Sequence, residues 1–441
     1  MTNRTSKIAR DTARTVAVSV ISTGLAIITG VIVAKTLGPL GKGVFSSVQL
    51  VQGGVAAGTA GAGAAITYFL AKQGRSVGSL MGALSALLVI ISLISWCLLG
   101  LWGLKFGFTT AVYIVALVVP ASIVISWQGY YYIGTDNVRK LNLQTMRMAI
   151  ALLLSVVILV AILHLGIAGL LAGWCICIYA LAGVVVGDAI KTAQGLQRLN
   201  FGSDFKVLVR FGSRSALDGL MGFLNYRIDS IILLGFLGIA GFGIYSIAVS
   251  AGEMLFVVSR ALSTAVSHDI SILGFNASAA MAAKASRSVT FAMLVLSIPL
   301  LALAPLLIHL LYGARFLPAA SALRILLPGV ILVASGGPIG SFFAYQLGRP
   351  IIMVYFLLAS IILQAGLCLV LVPKLGLNGA AIASSGTYLA GAAMRTIYFC
   401  RITKLSPFAL WIAHSSDLAT FKNLVKSLVQ SFGLSVNEPL P

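Results

Sequence analysis

Arg214, Asp218, Asn225, Arg227, Asp229, Glu253 and Arg260 stand within sequence that is otherwise largely apolar, and Arg324 and Arg395 follow further on. A charge at the centre of a bilayer costs about 2.5–3.5 kcal/mol on insertion scales, so those that are kept face protein or water and often mark function. Two chemistries fit these residue types. A guanidinium presents a planar fork of donors that matches the paired oxygens of an anion, and a carboxylate in such a setting exchanges a proton or holds a cation. Helical spacing groups them: Arg214 and Asp218 are four apart, Glu253 and Arg260 seven apart, and Asp218 and Asp229 eleven apart, so each pair shares a face. Ser215, Asp218, Asn225 and Asp229 then form one polar stripe. The competing reading of each residue is an internal salt bridge between neighbouring helices, with Arg214 and Arg260 snorkelling to the interface.

The elements that carry these residues follow from composition. Hydrophobic residues make up 59% of the 441 and charged ones 9%, too few to clothe a soluble surface. The apolar runs are long enough to cross a hydrocarbon core of about 30 Å as helices, whereas barrel strands would be half as long and alternate. Twelve spans are expected, at about 12–37, 44–71, 77–102, 109–133, 140–164, 166–190, 207–235, 240–268, 284–312, 319–346, 350–373 and 376–402. The first apolar run reads as a retained span rather than a cleavable signal. The formal charge of +20 is mostly orientation: with the N-terminus inside, twenty of the thirty Lys and Arg fall in cytoplasmic segments and five outside. Nucleic acid is not an expected partner. The five cysteines lie in apolar helix sequence and read as small hydrophobes, since the Cys175 and Cys177 side chains point about 200° apart on a helix. His164, His268, His309 and His414 are scattered, and nothing pairs a nucleophile with a base, so the chain does not read as an enzyme.

A short phrase organises the chain. LGPLGKGVFS at 37–46 returns as LGIAGFGIYS at 237–246, and the core LGxxG also begins at Leu165 and Leu375. These positions fall between spans 1 and 2, 5 and 6, 7 and 8, and 11 and 12, the first and last hairpin of each half. Glycine suits a tight reversal because it accepts positive φ and close helix approach. Copies separated by six spans return to the same membrane side, so the repeat is parallel, six plus six. The expected organisation is a six-helix lobe at 1–190, a cytoplasmic linker at 191–206, a second lobe at 207–402 and a tail at 403–441, with a cavity between the lobes.

TGVIVAKTLGPLGKGVFS, NYRIDSIILLGFLGIAGFGIYSIAVSAGEMLFVVSRALSTAVSHDIS and LVPKLGLNGAAIASSGTY, in this order, resemble polysaccharide exporters and O-antigen flippases of the multidrug/oligosaccharidyl-lipid/polysaccharide (MOP) exporter superfamily. The resemblance implies an all-α polytopic protein with two six-helix lobes around a V-shaped cavity. It implies a flippase that carries an undecaprenyl-diphosphate-linked oligosaccharide across the bacterial inner membrane by alternating access, for lipopolysaccharide or other surface polysaccharide, with both termini cytoplasmic. Membrane lipids and a polysaccharide polymerase with its assembly proteins are the partners it implies. No cofactor is expected, and coupling would be to a proton or sodium gradient or to the membrane potential. A diphosphate makes Arg214, Arg227, Arg260 and Arg324, with Asn225, the expected substrate-binding residues, and leaves Asp218, Glu253 and Asp229 for ion coupling. The alternative is an ion-coupled small-molecule or multidrug exporter of the same superfamily. That branch usually places an acidic cation site in its first helix, where this chain has Ser19, Ser22, Thr23 and Thr29.

Three further features complete the reading. GGVAAGTAGAGAA at 53–65 is a small-residue face for close helix packing. SGGPIG at 335–340 is the expected hinge. Leu418, Phe421, Val425, Leu428 and Phe432, with Lys422 and Lys426 between them, form an expected amphipathic surface helix.

Overall fold

Backbone polar groups in hydrocarbon must be satisfied internally, which leaves a chain of apolar runs with helices. A computed structural model describes residues 2–74, 77–106, 110–193, 201–349 and 351–411, and every regular element among them is helical. The main helices are α1 (Thr2–Thr67), α2 (Val77–Phe106), α3 (Thr110–Gly134), α4 (Val138–Ser155), α5 (Gly166–Thr192), α6 (Phe201–Met254), α7 (Phe256–Ile272), α8 (Phe275–Tyr312), α9 (Pro318–Ser341) and α10 (Ile351–Thr403). Nine stretches among the described residues are long and apolar enough to cross a membrane. Three of these are interrupted by a glycine, at Gly38 in α1, Gly238 in α6 and Gly376 in α10, so the chain makes the expected twelve passages. Residues 194–200 of the expected linker and the amphipathic tail after Trp411 lie outside the described residues.

The interrupting glycines are the first glycines of the repeated phrase. Gly38, Gly166, Gly238 and Gly376 have φ of 66°, 62°, 67° and 58°, a region where a side chain costs about 1–2 kcal/mol. The second glycine of each phrase is fixed by space instead. A Cβ on Gly169 or Gly241 would lie 2.7 Å from the Cβ of Leu165 or Leu237, the leucine that opens the same phrase. On Gly41 it would collide with Leu37 in the same way, and on Gly379 with the Leu371 carbonyl oxygen. The phrase is therefore a helix reversal without a linker: one glycine turns the chain, and the other lets it close.

The chain divides into two compact units, residues 1–223 and 224–441. In the first, α1 packs on α3 through Thr59 Oγ1 and Ser126 Oγ at 2.8 Å, while Trp127 Nε1 donates to the Thr59 carbonyl at 3.2 Å. The small-residue run meets the start of α6 backbone to backbone. A Cβ on Gly61 would collide with the Gly212 carbonyl, and one on Gly219 would lie 2.7 Å from the Ala57 carbonyl oxygen. At one end of this unit Asp188 of α5 accepts from Lys140 Nζ at 3.1 Å and from the Tyr132 hydroxyl at 3.0 Å, joining α3, α4 and α5.

In the second unit α9 lies between α8 and α10, over a core that includes Ile270, Phe342, Phe343 and Phe399. SGGPIG, the expected hinge, is continuous helix here, followed by a π turn at Phe342–Gln346. Its glycines admit neighbours: a Cβ on Gly336 would stand 2.7 Å from Arg395 Nε, and one on Gly337 would collide with the Ser263 hydroxyl.

Gly238→Ala should lower the thermal unfolding midpoint in detergent, at a cost of about 1–2 kcal/mol for the strained φ. Gly58→Ala, whose added methyl meets no atom within 4 Å, should leave the midpoint unchanged or raise it. Equal midpoints for the two variants would mean that the Gly238 turn is not the constraint described.

Candidate functional site

Asn225 and Asp229 are four apart on α6 and buried, with 4% and 2% exposure. The reversal at Gly238 lies nine residues beyond Asp229 and seven before Tyr245, so it folds Tyr245 back onto the carboxylate. Its hydroxyl donates to Asp229 Oδ2 at 2.6 Å. The Gly376 reversal serves the same site from α10, where Ser384 donates to Oδ2 at 2.7 Å and Gln364, on the other arm of that hairpin, donates from Nε2 to the Ser384 hydroxyl at 3.0 Å. The Ser230 amide donates to Oδ1 at 2.6 Å. Three donors thus converge on one buried carboxylate. Gln364 Oε1 has no partner.

Two residues before Asp229 on α6, Arg227 donates from Nη2 to Glu253 Oε2 at 2.8 Å, with side-chain exposures of 32% and 27%. Both were expected at the site, and here each is the other's counter-ion. Glu253 and Arg260, expected on one face, are not paired. Glu253 takes Arg227 instead, and Arg260 is exposed.

The remaining expected residues are dispersed. Arg324 is exposed and donates from Nε to the Leu301 carbonyl at 3.0 Å and from Nη2 to that of Ala302 at 3.4 Å. Leu301 is the residue whose carbonyl Pro305, lacking an N–H, leaves free in α8, so Arg324 supplies the missing donor. Asp218 is exposed, and the side chain of Arg214 lies outside the described ones. Tyr245, Ser384 and Gln364 were not singled out in the sequence, because uncharged residues up to 155 positions from Asp229 carry no local signal. One clue was present: Tyr245 occupies the place in the repeated phrase that Phe45 holds in the first copy.

Among the described residues of the first unit, the carboxylate with converging donors is Asp188, held by Lys140 and Tyr132. A pocket in this unit, between the end of α1, α2, α3 and α5, is lined almost wholly by apolar side chains such as Leu80, Leu84, Leu88 and Trp127, with no charged residue in its lining. Ser19, Ser22, Thr23 and Thr29 each donate back to a carbonyl of their own helix, at 2.8, 3.1, 2.8 and 2.8 Å.

No family model matches the sequence, and no curated protein matches it. Solved structures do. The lipid II flippase MurJ in an inward closed conformation has a TM-score of 0.66 at 13% identity, with 96% of this chain and 93% of that one covered. The MATE transporter VcmN of Vibrio cholerae gives 0.59 at 15% identity, covering 92% and 99%. A MOP superfamily transporter from Pyrococcus furiosus, described by the reversed polarity of its binding pocket, gives 0.56 at 14%, covering 89% and 94%. The chain has the all-α, twelve-helix, two-lobed fold of MOP superfamily transporters.

Removing one partner of the Arg227–Glu253 pair strands the other charge among apolar helices. Glu253→Gln and Arg227→Met should each destabilise the protein by about 1–3 kcal/mol, between the values for exposed and buried pairs. The double variant Arg227→Met with Glu253→Gln should recover most of that loss. Additive losses in a double-mutant cycle would show that the pair is not coupled.

Proposed function

We propose that the chain is a flippase that moves an undecaprenyl-diphosphate-linked oligosaccharide from the cytoplasmic to the periplasmic leaflet of the bacterial inner membrane, for surface polysaccharide such as O-antigen. The observation that carries this reading is the charge distribution of the second unit. Its buried carboxylate Asp229 is held by its own donors and Glu253 by Arg227, while cationic capacity is left over. A carrier of organic cations needs the opposite surplus, and a carrier of a diphosphate needs this one. The fold shared with a lipid flippase is compatible with it.

On this reading the lobes, at 1–190 and 207–402, alternate access around the substrate, with both termini cytoplasmic. Arginine binds the diphosphate, and Asp229 and Glu253, with Asp218 at the exposed end, couple the motion to an ion. A proton reaching Asp229 would weaken the hold of the carboxylate on the hydroxyls of Tyr245 and Ser384, loosening the contact between the two glycine-turned hairpins. A sodium ion would find the Asp229 oxygens and the unpartnered Oε1 of Gln364 in the same network. The rival, a cation-coupled drug exporter, lacks its usual support in the first span, whose hydroxyls are satisfied by their own helix.

Deleting the gene discriminates the two. A lipid-linked glycan should accumulate on the cytoplasmic leaflet, with sensitivity to cationic drugs unchanged. Raised sensitivity to such drugs with no glycan accumulating would establish the rival.

A further inference from the structure

Arg395 on α10 is 8% exposed and pairs with no carboxylate among the described residues. Its Nε and Nη2 are buried and have no hydrogen-bond partner. These two nitrogens form one edge of the guanidinium, the edge whose parallel N–H groups bind two oxygens of a single carboxylate or phosphate side by side. A buried charge without a counter-ion costs several kcal/mol, yet the fold makes room for this one. Gly336 on α9 stands where any Cβ would come within 2.7 Å of Nε and 2.9 Å of Nη2.

Arg395 also lines a narrow pocket within the second unit, between α6, α9 and the two arms of α10, which must widen to admit more than a water molecule. Tyr388, Gly391 and Arg395 are spaced three and four apart along one face of α10, and a Cβ on Gly391 would stand 3.1 Å from the Ser360 hydroxyl on the other arm. Thr387 Oγ1 and Asn225 Oδ1, both buried, also line it without partners. An amide oxygen and nitrogen exchange places by rotation, so Asn225 offers a donor as readily as an acceptor. Ser360 also lines it; the remaining residues, Val333, Met353, Phe356 and Leu357, are apolar, and no carboxylate is among the lining residues. Arg227 and Arg324 already have acceptors, at Glu253 and at the carbonyls of Leu301 and Ala302, whereas the Nε/Nη2 edge of Arg395 has none.

We propose that this pocket is an oxyanion site for a phosphate-type group, with the Nε/Nη2 edge of Arg395 as its charged ligand and Thr387 and Asn225 as neutral donors. That the group is the diphosphate of a transported lipid rests on the flippase reading above; the site itself does not. Asp229, saturated by its three donors, belongs to a separate network and does not neutralise the guanidinium.

The full chain in nanodiscs of phosphatidylcholine, titrated calorimetrically with farnesyl diphosphate, farnesol and inorganic diphosphate, tests this. Arg395→Gln should weaken farnesyl diphosphate by about tenfold or more, with Arg395→Lys and Thr387→Val losing less, since a point charge or a methyl keeps part of the site. Farnesol should be unaffected. Arg395→Gln should also unfold at the wild-type temperature or above, because it removes an unmatched buried charge. Competition by inorganic diphosphate would identify the headgroup alone as the ligand. Arg395-dependent binding of inorganic diphosphate without binding of farnesyl diphosphate would uphold the site and defeat the lipid-substrate reading. A folded Arg395→Gln that binds farnesyl diphosphate like wild type would overturn the site and leave the flippase reading standing. So would a wild-type protein that binds neither diphosphate. Should Arg395→Gln fail to fold, wild-type affinity in both Arg395→Lys and Thr387→Val would overturn it equally.

Discussion

A charge held among apolar helices must be matched, and how each one is matched decides what the second unit of this protein does. Asp229 is matched by hydroxyls and an amide, Arg227 by Glu253, and Arg324 by two backbone carbonyls, one of which a proline has left free. Each solution ties elements together: the first joins both glycine-turned hairpins of the unit, the second joins the two arms of one hairpin, and the third joins α8 to α9. Arg395 departs from the pattern, because it is given space by Gly336 and donors by its neighbours but no anion. Interiors do not keep an unmatched cation for stability. Its presence makes sense when the anion arrives from outside.

The glycine turns link this chemistry to the chain's repetition. An offset of two hundred residues superimposes LGPLGKGVFS on LGIAGFGIYS, and both first glycines turn the chain with φ near 66°. The same offset sets Thr29 against Asp229 and Phe45 against Tyr245. In the first unit, then, the threonine is satisfied by its own helix at the Leu25 carbonyl, and the ring has no hydroxyl to give. Where the scaffold repeats, the carboxylate and its phenol do not. Equivalent turns support packing in one unit and a polar network in the other.

Features governed by local rules were legible in the sequence. The spans follow from apolar length, the reversals from a positive φ that glycine tolerates best, and the small-residue face at 53–65 from the closeness of approach it permits. Features that depend on how one helix is rotated against another were not. Spacing set Asp218 and Asp229 on one face of α6, yet one is exposed and the other buried, because neighbours along the helix differ. Spacing also suggested Glu253 with Arg260, and the hairpin at Gly238 brought Glu253 to Arg227 instead. Arg395 was visible as a charge in the last span, but its lack of a partner is a property of three other helices. SGGPIG read as a hinge because glycine and proline weaken helices; in the folded unit its glycines are the spaces into which Arg395 and Ser263 fit.

The central claim is that the surplus of positive charge serves an anionic lipid. Its most direct measurement is translocation of an undecaprenyl-diphosphate-linked oligosaccharide by the purified chain in proteoliposomes, read as the fraction of glycan accessible to a glycosidase added outside. Protein-dependent movement of the diphosphate-linked lipid, with no uptake of a cationic dye under the same ion gradients, is the expected result. Dye uptake driven by a proton or sodium gradient, with the lipid remaining in its original leaflet, would contradict it.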